Sequence, residues 1–129
     1  MTLVADDRDS FLPPEADLVL SALDAAHGPS IDRRQGSRKR HRVRGLLRLF
    51  SDRPGSAPWE IFTRDVGPRS LGFVSKQRLP LGYGGAIELT APDGQKITAH
   101  CTLLRCREAG SGWFEGAMYF NREQPAFMH

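Results

Sequence analysis

The sequence has little cysteine, no long apolar run and no recognisable catalytic motif. Its two cysteines, Cys101 and Cys106, both lie in "CTLLRC". No CxxC pair is present, which removes the usual frame of a zinc site, and two thiols in 129 residues suit a reducing compartment. Five positions apart on one strand, they should point to opposite faces and form no disulfide with each other. No apolar run reaches the ~18–20 residues that cross a bilayer. The opening "MTLVADDRDS" is acidic and has no basic and apolar signal pattern, so the chain reads as cytoplasmic. There is no GxSxG elbow, no HExxH and no phosphate loop ending in Gly-Lys-Ser/Thr, and the reading is of a protein that is not an enzyme. The histidines, His27, His41, His100 and His129, are scattered without ligand spacing, and no metal or resident cofactor is expected.

What the sequence does have is segregated charge. The formal net charge is only +3. Residues 1–30 nevertheless hold six acids and one base, a balance of −5, whereas residues 31–55 hold nine bases and two acids, a balance of +7. Eight of those nine bases are Arg, crowded into "RKRHRVRGLLRLF" from Arg38 to Phe50 and the residues around it. Like charges this close repel unless an anion relieves them. Arg, unlike Lys, offers a flat forked donor that fits phosphate and base edges and stacks on rings.

The length is that of one domain with one core. "FLPPEADLVLSALDAAHG" reads as a short helix. Pro13 and Pro14 suit its first turn, Glu15 and Asp17 favour its N-terminal dipole, and Gly28 stops it. Leu18, Leu20, Leu23 and Ala26 form its expected apolar stripe. "SIDRRQGSRK" follows as a basic linker. Six strands come next: "VRGLLRLF", "WEIFTRD", "SLGFVS", "AIELTA", "KITAHCTLLRCRE" and "WFEGAMYF". Trp59, Ile61 and Thr63 should share one face of the second. "LPLGYGG" reads as a turn, and Asp93-Gly94 as a tight hairpin turn. The expected organisation is an acidic extension with a helix (1–30), an Arg-rich linker (31–42), a β-barrel (43–122) and a tail (123–129). The expected fold is all-β, a small six-stranded antiparallel β-barrel with a short N-terminal helix.

Two local patterns carry a resemblance. Four overlapping pairs satisfy RxxxR: Arg34/Arg38, Arg38/Arg42, Arg40/Arg44 and Arg44/Arg48. The turn between the second and third strands reads Asp65-Val66-Gly67-Pro68-Arg69-Ser70. With the six-strand pattern, and with "GAMYF" closing the last strand, residues 33–122 resemble the PilZ domain family, bacterial receptors for the second messenger cyclic di-GMP. That family pairs RxxxR ahead of the first strand with (D/N)xSxxG in the turn between the next two. The second motif departs here: it is DxGxxS, with Gly67 at the Ser position and Ser70 at the Gly position.

The resemblance implies a split-barrel receptor in signal transduction, with cyclic di-GMP as ligand rather than cofactor. Its ligand-binding residues would be Arg34, Arg38, Arg40, Arg42, Asp65, Gly67, Arg69 and Ser70, with Arg38 and Arg42 foremost. Arg forks can meet guanine O6 and N7, and Asp65 can accept from guanine N1 and N2 or hold an Arg. Losing the hydroxyl at position 67 would remove ~1 kcal/mol of hydrogen bonding. If position 70 required positive φ, Ser there would add ~1 kcal/mol of strain. Binding would order the linker, reposition the acidic helix and change a surface offered to a protein partner in motility, biofilm or secretion control. One alternative is a divergent adaptor of the same fold that binds no cyclic di-GMP and acts through protein partners. Another, with less support, is nucleic-acid binding through the Arg block, because only Phe50 lies near it as a stacking platform.

Overall fold

The computed structural model describes residues 12–27 and 39–127. One helix, α1 (Pro14–His27), precedes seven strands: β1 (Lys39–Arg40), β2 (Arg44–Leu49), β3 (Trp59–Val66), β4 (Ser70–Ser75), β5 (Gly84–Thr90), β6 (Lys96–Gly110) and β7 (Trp113–Phe120). A 3-10 turn, Pro125–Phe127, follows. Six strands close into an antiparallel barrel in the order β3-β2-β5-β6-β7-β4, with β4 pairing back onto β3. The short β1 is an outer strand on β3. The expected all-β barrel with a short N-terminal helix is the observed architecture among the described residues.

Alternation builds the barrel. In β2, Gly45, Leu47 and Leu49 face inward while Arg44, Leu46 and Arg48 face outward. Leu47, Ile61, Phe73, Ile87, Leu103 and Met118 fill the interior, and Phe127 stacks on Phe120 at 5.5 Å between ring centroids. Ile61 and Thr63 are buried and Trp59 partly so, as expected of one inward face. The Asp93-Gly94 turn has Gly94 at φ 91°, the left-handed backbone that favours glycine there. The glycines of "LPLGYGG" do not all belong to a turn: Gly84 and Gly85 already pair with Thr102 and Cys101 in β5.

Two expectations about faces fail for identifiable reasons. Cys101 and Cys106 are both buried, because a register shift between Leu103 and Arg105 flips the alternation of β6 halfway between them. The Leu79 amide donates to Cys106 Sγ at 3.4 Å, and both thiols are free. In α1 the stripe that packs is Ala16, Leu20 and Leu23, while Leu18 is 70% exposed. Leu18 lies two positions from Ala16, or ~200° around the helix. The side chain of Ala26 lies outside the described residues. This stripe meets Phe62, Val74 and Trp113 on the outer surface of β3, β4 and β7, so the barrel carries a second, smaller core beneath the helix.

Candidate functional site

Residues 39–43 run along β3 beyond the point where β2 ends its pairing. Arg40 lies in register with Asp65, and Lys39 with Val66. The intervening residues are tied by Thr63, a buried β-branched residue with one hydroxyl. The Val43 amide donates to Thr63 Oγ1 at 2.9 Å, the Thr63 hydroxyl donates to the His41 carbonyl, and the Thr63 amide donates to the Val43 carbonyl at 2.8 Å. His41 is committed as well: its ring Nε2 donates to the Thr90 carbonyl at 2.6 Å. The histidine therefore serves structure, and the backbone that carries Arg40 and Arg42 is fixed to the barrel.

β3 holds a bulge at this point. Thr63 pairs with Phe73 and Asp65 with Gly72, leaving Arg64 as the extra residue. The bulge turns Arg64 towards α1, where its Nε donates to Asp24 Oδ1 at 2.9 Å.

The acidic helix closes over the same guanidinium groups. Arg42 donates from Nη1 to Asp17 Oδ1 at 2.7 Å and to Ser21 Oγ at 3.3 Å, and from Nη2 to Asp24 Oδ2 at 2.5 Å. Arg40 Nη2 stands 3.9 Å from Asp24. The Arg42 side chain is only 10% exposed and that of Arg64 13%, whereas that of Arg40 is 70% exposed. Burial pushes the Asp24 carboxyl up, but the bonds and charges of Arg64 and Arg42 outweigh it and hold its pKa below the ordinary value. Arg42 Nε is buried without a hydrogen-bond partner among the described residues.

Asp65 is 7% exposed and sits at the neighbouring hairpin. Its Oδ1 accepts from the Gly72 amide at 3.2 Å. A Cβ on Gly72 would come within 2.8 Å of that oxygen, so only glycine lets β4 approach the carboxylate this closely. In the turn, the Gly67 amide donates to the Ser70 carbonyl at 2.9 Å. The Pro68 and Arg69 carbonyls accept from the Gln124 and Phe120 amides, each at 2.7 Å, which locks the turn to the C-terminal segment. Ser70 is buried at the start of β4. Arg69 is half-exposed and pairs with Glu123 at 3.3 Å.

Of the eight residues singled out from sequence, Arg40 and Asp65 come together by strand register. Gly67, Arg69 and Ser70 share the adjoining turn, and Arg42 is held beneath α1. Arg34 and Arg38 lie outside the described residues. Ser70 carries no backbone strain: the only non-glycine residue with positive φ among the described residues is Ser111. Close approach to the carboxylate belongs to Gly72, two positions further on.

Sequence reasoning missed Arg64 and Gly72, and it gave Asp17 and Asp24 no individual partner in the basic block. The acids had a legible signal, since Asp17, Ser21 and Asp24 recur at spacings of four and three on one helix face. Arg64 had none, because a bulge leaves no mark in the residue pattern. No group of three or more His, Cys, Asp or Glu side chains suited to a metal occurs among the described residues, and no helix among them is long and apolar enough to cross a membrane. No family model, no curated protein and no solved structure matches this chain.

Proposed function

We propose that this protein is a PilZ-like receptor for cyclic di-GMP. The observation that carries the reading is the pairing of Arg40 with Asp65 across β1 and β3, which sets an Arg-dense segment beside the turn whose residues resemble the family's second motif. Asp65 is kept in a fixed place by the Gly72 amide. On this reading the buried Asp65 holds an arginine in position, while Arg40 and Arg69 remain largely exposed and offer forks to guanine O6 and N7 or to phosphate. Arg34 and Arg38 would complete the arginine set. The ligand would act as a second messenger in a bacterial cytoplasm, and the output would be an altered surface for a protein partner.

Isothermal titration of the full chain with cyclic di-GMP, with GTP and linear pGpG as controls, tests this. Selective binding at micromolar affinity or tighter is the expected result. A folded protein that gives neither heat nor thermal shift with cyclic di-GMP sinks the reading.

One observation favours a second reading. Arg42 is already neutralised by Asp17 and Asp24. A barrel that satisfies its own arginines needs no nucleotide, and would then serve as an adaptor for protein partners. It predicts a stable protein complex and indifference to cyclic di-GMP.

A further inference from the structure

The Arg42–Arg64 pair has an occupant, and that occupant is part of the same chain. Asp17 and Asp24 bring two carboxylates to guanidiniums of which Arg42 and Arg64 are almost entirely enclosed. The two carboxylates carry as many negative charges as the two phosphodiesters of a cyclic dinucleotide. Beneath them, Arg42 Nε is buried and has no partner among the described residues, so the docked helix leaves one donor that an incoming phosphate oxygen could use.

The attachment of α1 is suited to release. It has 14 residues, a length at which an isolated helix is marginal in water. Its buried apolar contact is small: Ala16, Leu20 and Leu23 on Phe62, Val74 and Trp113, with Leu12, Val19 and Ala109 partly buried against them. On its other flank a cleft of about 620 Å³ lies between Leu18 and Ala22 and the β6–β7 hairpin at Arg107–Ser111. A further tie, Lys76 to Glu15 at 2.9 Å, joins two largely exposed side chains and adds little.

We infer that α1 is a displaceable plug: its acidic face and an anionic phosphodiester compete for Arg42 and Arg64, and its departure uncovers the Phe62–Val74–Trp113 groove. The uncovered groove then fits a partner of the same chemistry as the plug, an amphipathic helix with acids flanking a small apolar stripe. The inference rests on the receptor reading only for the identity of its anion.

The test uses the full chain with Trp59→Phe, which leaves Trp113 as the sole tryptophan. Binding of cyclic di-GMP and of inorganic pyrophosphate is compared between this protein and the same protein carrying Asp17→Asn and Asp24→Asn. Acrylamide quenching reports Trp113 exposure. The plug predicts about tenfold tighter binding once the acids are neutralised, since the competent state is no longer a minor one. It also predicts that ligand renders Trp113 accessible in the protein with its acids intact.

Equal affinities, or a Trp113 that stays protected at saturating cyclic di-GMP, overturn the plug and leave the receptor reading standing. If cyclic di-GMP fails but pyrophosphate binds the neutralised form more tightly and exposes Trp113, the receptor reading falls and the plug stands. If neither anion binds either form, both fall. Should the double variant not fold, Asp17→Asn alone serves, because Asp17 is 55% exposed and its loss is mild.

Discussion

Arg42 donates to Asp24 at 2.5 Å, and its guanidinium is nine-tenths enclosed between helix α1 and the barrel. The residue that the sequence offers most readily to an anion is thus bonded to the acidic segment of its own chain. Exposed pairs such as Arg78–Glu108 are screened by water and add little. The enclosed Arg42 is different, because removing one partner strands the others in a poorly hydrated place.

Replacement of Arg42 by Ala should therefore loosen α1 first. Asp24 keeps Arg64, and a helix with a cleft along one flank can release into water, so the cost stays below the ~3–5 kcal/mol of a fully enclosed pair. A loss of about 2 kcal/mol is expected in urea unfolding followed by Trp113 fluorescence. An unchanged midpoint would show that the ion pairs do not hold the helix.

Acid should loosen the same contact. The Asp24 carboxyl titrates below its ordinary value of 3.8 in the folded protein. A group with a depressed folded-state pKa stabilises fully above its unfolded value, and that contribution is lost as pH falls through the folded value. The helix clasp is then at full strength at neutral pH and weakens below about pH 3.8. Asp24→Asn should be less stable at pH 7 and show a flatter acid limb. Parallel acid limbs for the two proteins would contradict this assignment.

Periodicity made the barrel legible. "SLGFVS" and "WFEGAMYF" coincide with β4 and β7, and the other four expected strands differ from those observed by one or two residues at an end. Position along one strand was less legible wherever a bulge intervened. Nothing in "CTLLRC" or "FTRD" announces the extra residue that turns Cys106 inward and Arg64 towards α1. At the site, the Arg-rich segment and the Asp65 turn could each be found locally. Their approach through β1 depends on Thr63 bonding to residues 41–43, about twenty positions earlier, and local pattern carries no such information. The charge imbalance between residues 1–30 and 31–55 did foreshadow the clasp, although only the packing of α1 on the barrel assigns Asp17 and Asp24 to Arg42.

Gly72→Ala tests whether the Asp65 carboxylate must stay where it is. The new methyl would meet Oδ1 at 2.8 Å, so either β4 shifts or Asp65 gives up the Gly72 amide. Overpacking of this kind costs about 1–3 kcal/mol. On the receptor reading, affinity for cyclic di-GMP falls as well. A variant of unaltered stability and affinity would mean that this close approach has no consequence.

The thiols offer a probe of the barrel interior. Burial pushes the Cys101 thiol up to about 11, which leaves almost no thiolate at neutral pH. Cys101 should react with a disulfide reagent only at the rate of unfolding, and urea should accelerate that reaction in step with loss of the fold. Rapid labelling of Cys101 in the native protein would show that this part of β6 opens without global unfolding.

The altered motif yields the most discriminating pair of substitutions. Ser70 occupies ordinary backbone, so Ser70→Gly relieves no strain; it removes a buried side chain from β4 and should cost ~0.5–1 kcal/mol of stability without improving affinity. Gly67 is buried but is not among the described glycines with positive φ, so its backbone angle does not itself bar serine. On the receptor reading, Gly67→Ser supplies a hydroxyl beside Asp65. One neutral hydrogen bond, ~1 kcal/mol, corresponds to about fivefold tighter binding of cyclic di-GMP. Calorimetry on the two single variants separates the possibilities. Gain from Gly67→Ser alone means that the departure at position 67 attenuates a working site. Gain from Ser70→Gly alone would mean that the glycine of the family motif belongs at position 70 after all, and that Gly72 does not replace it.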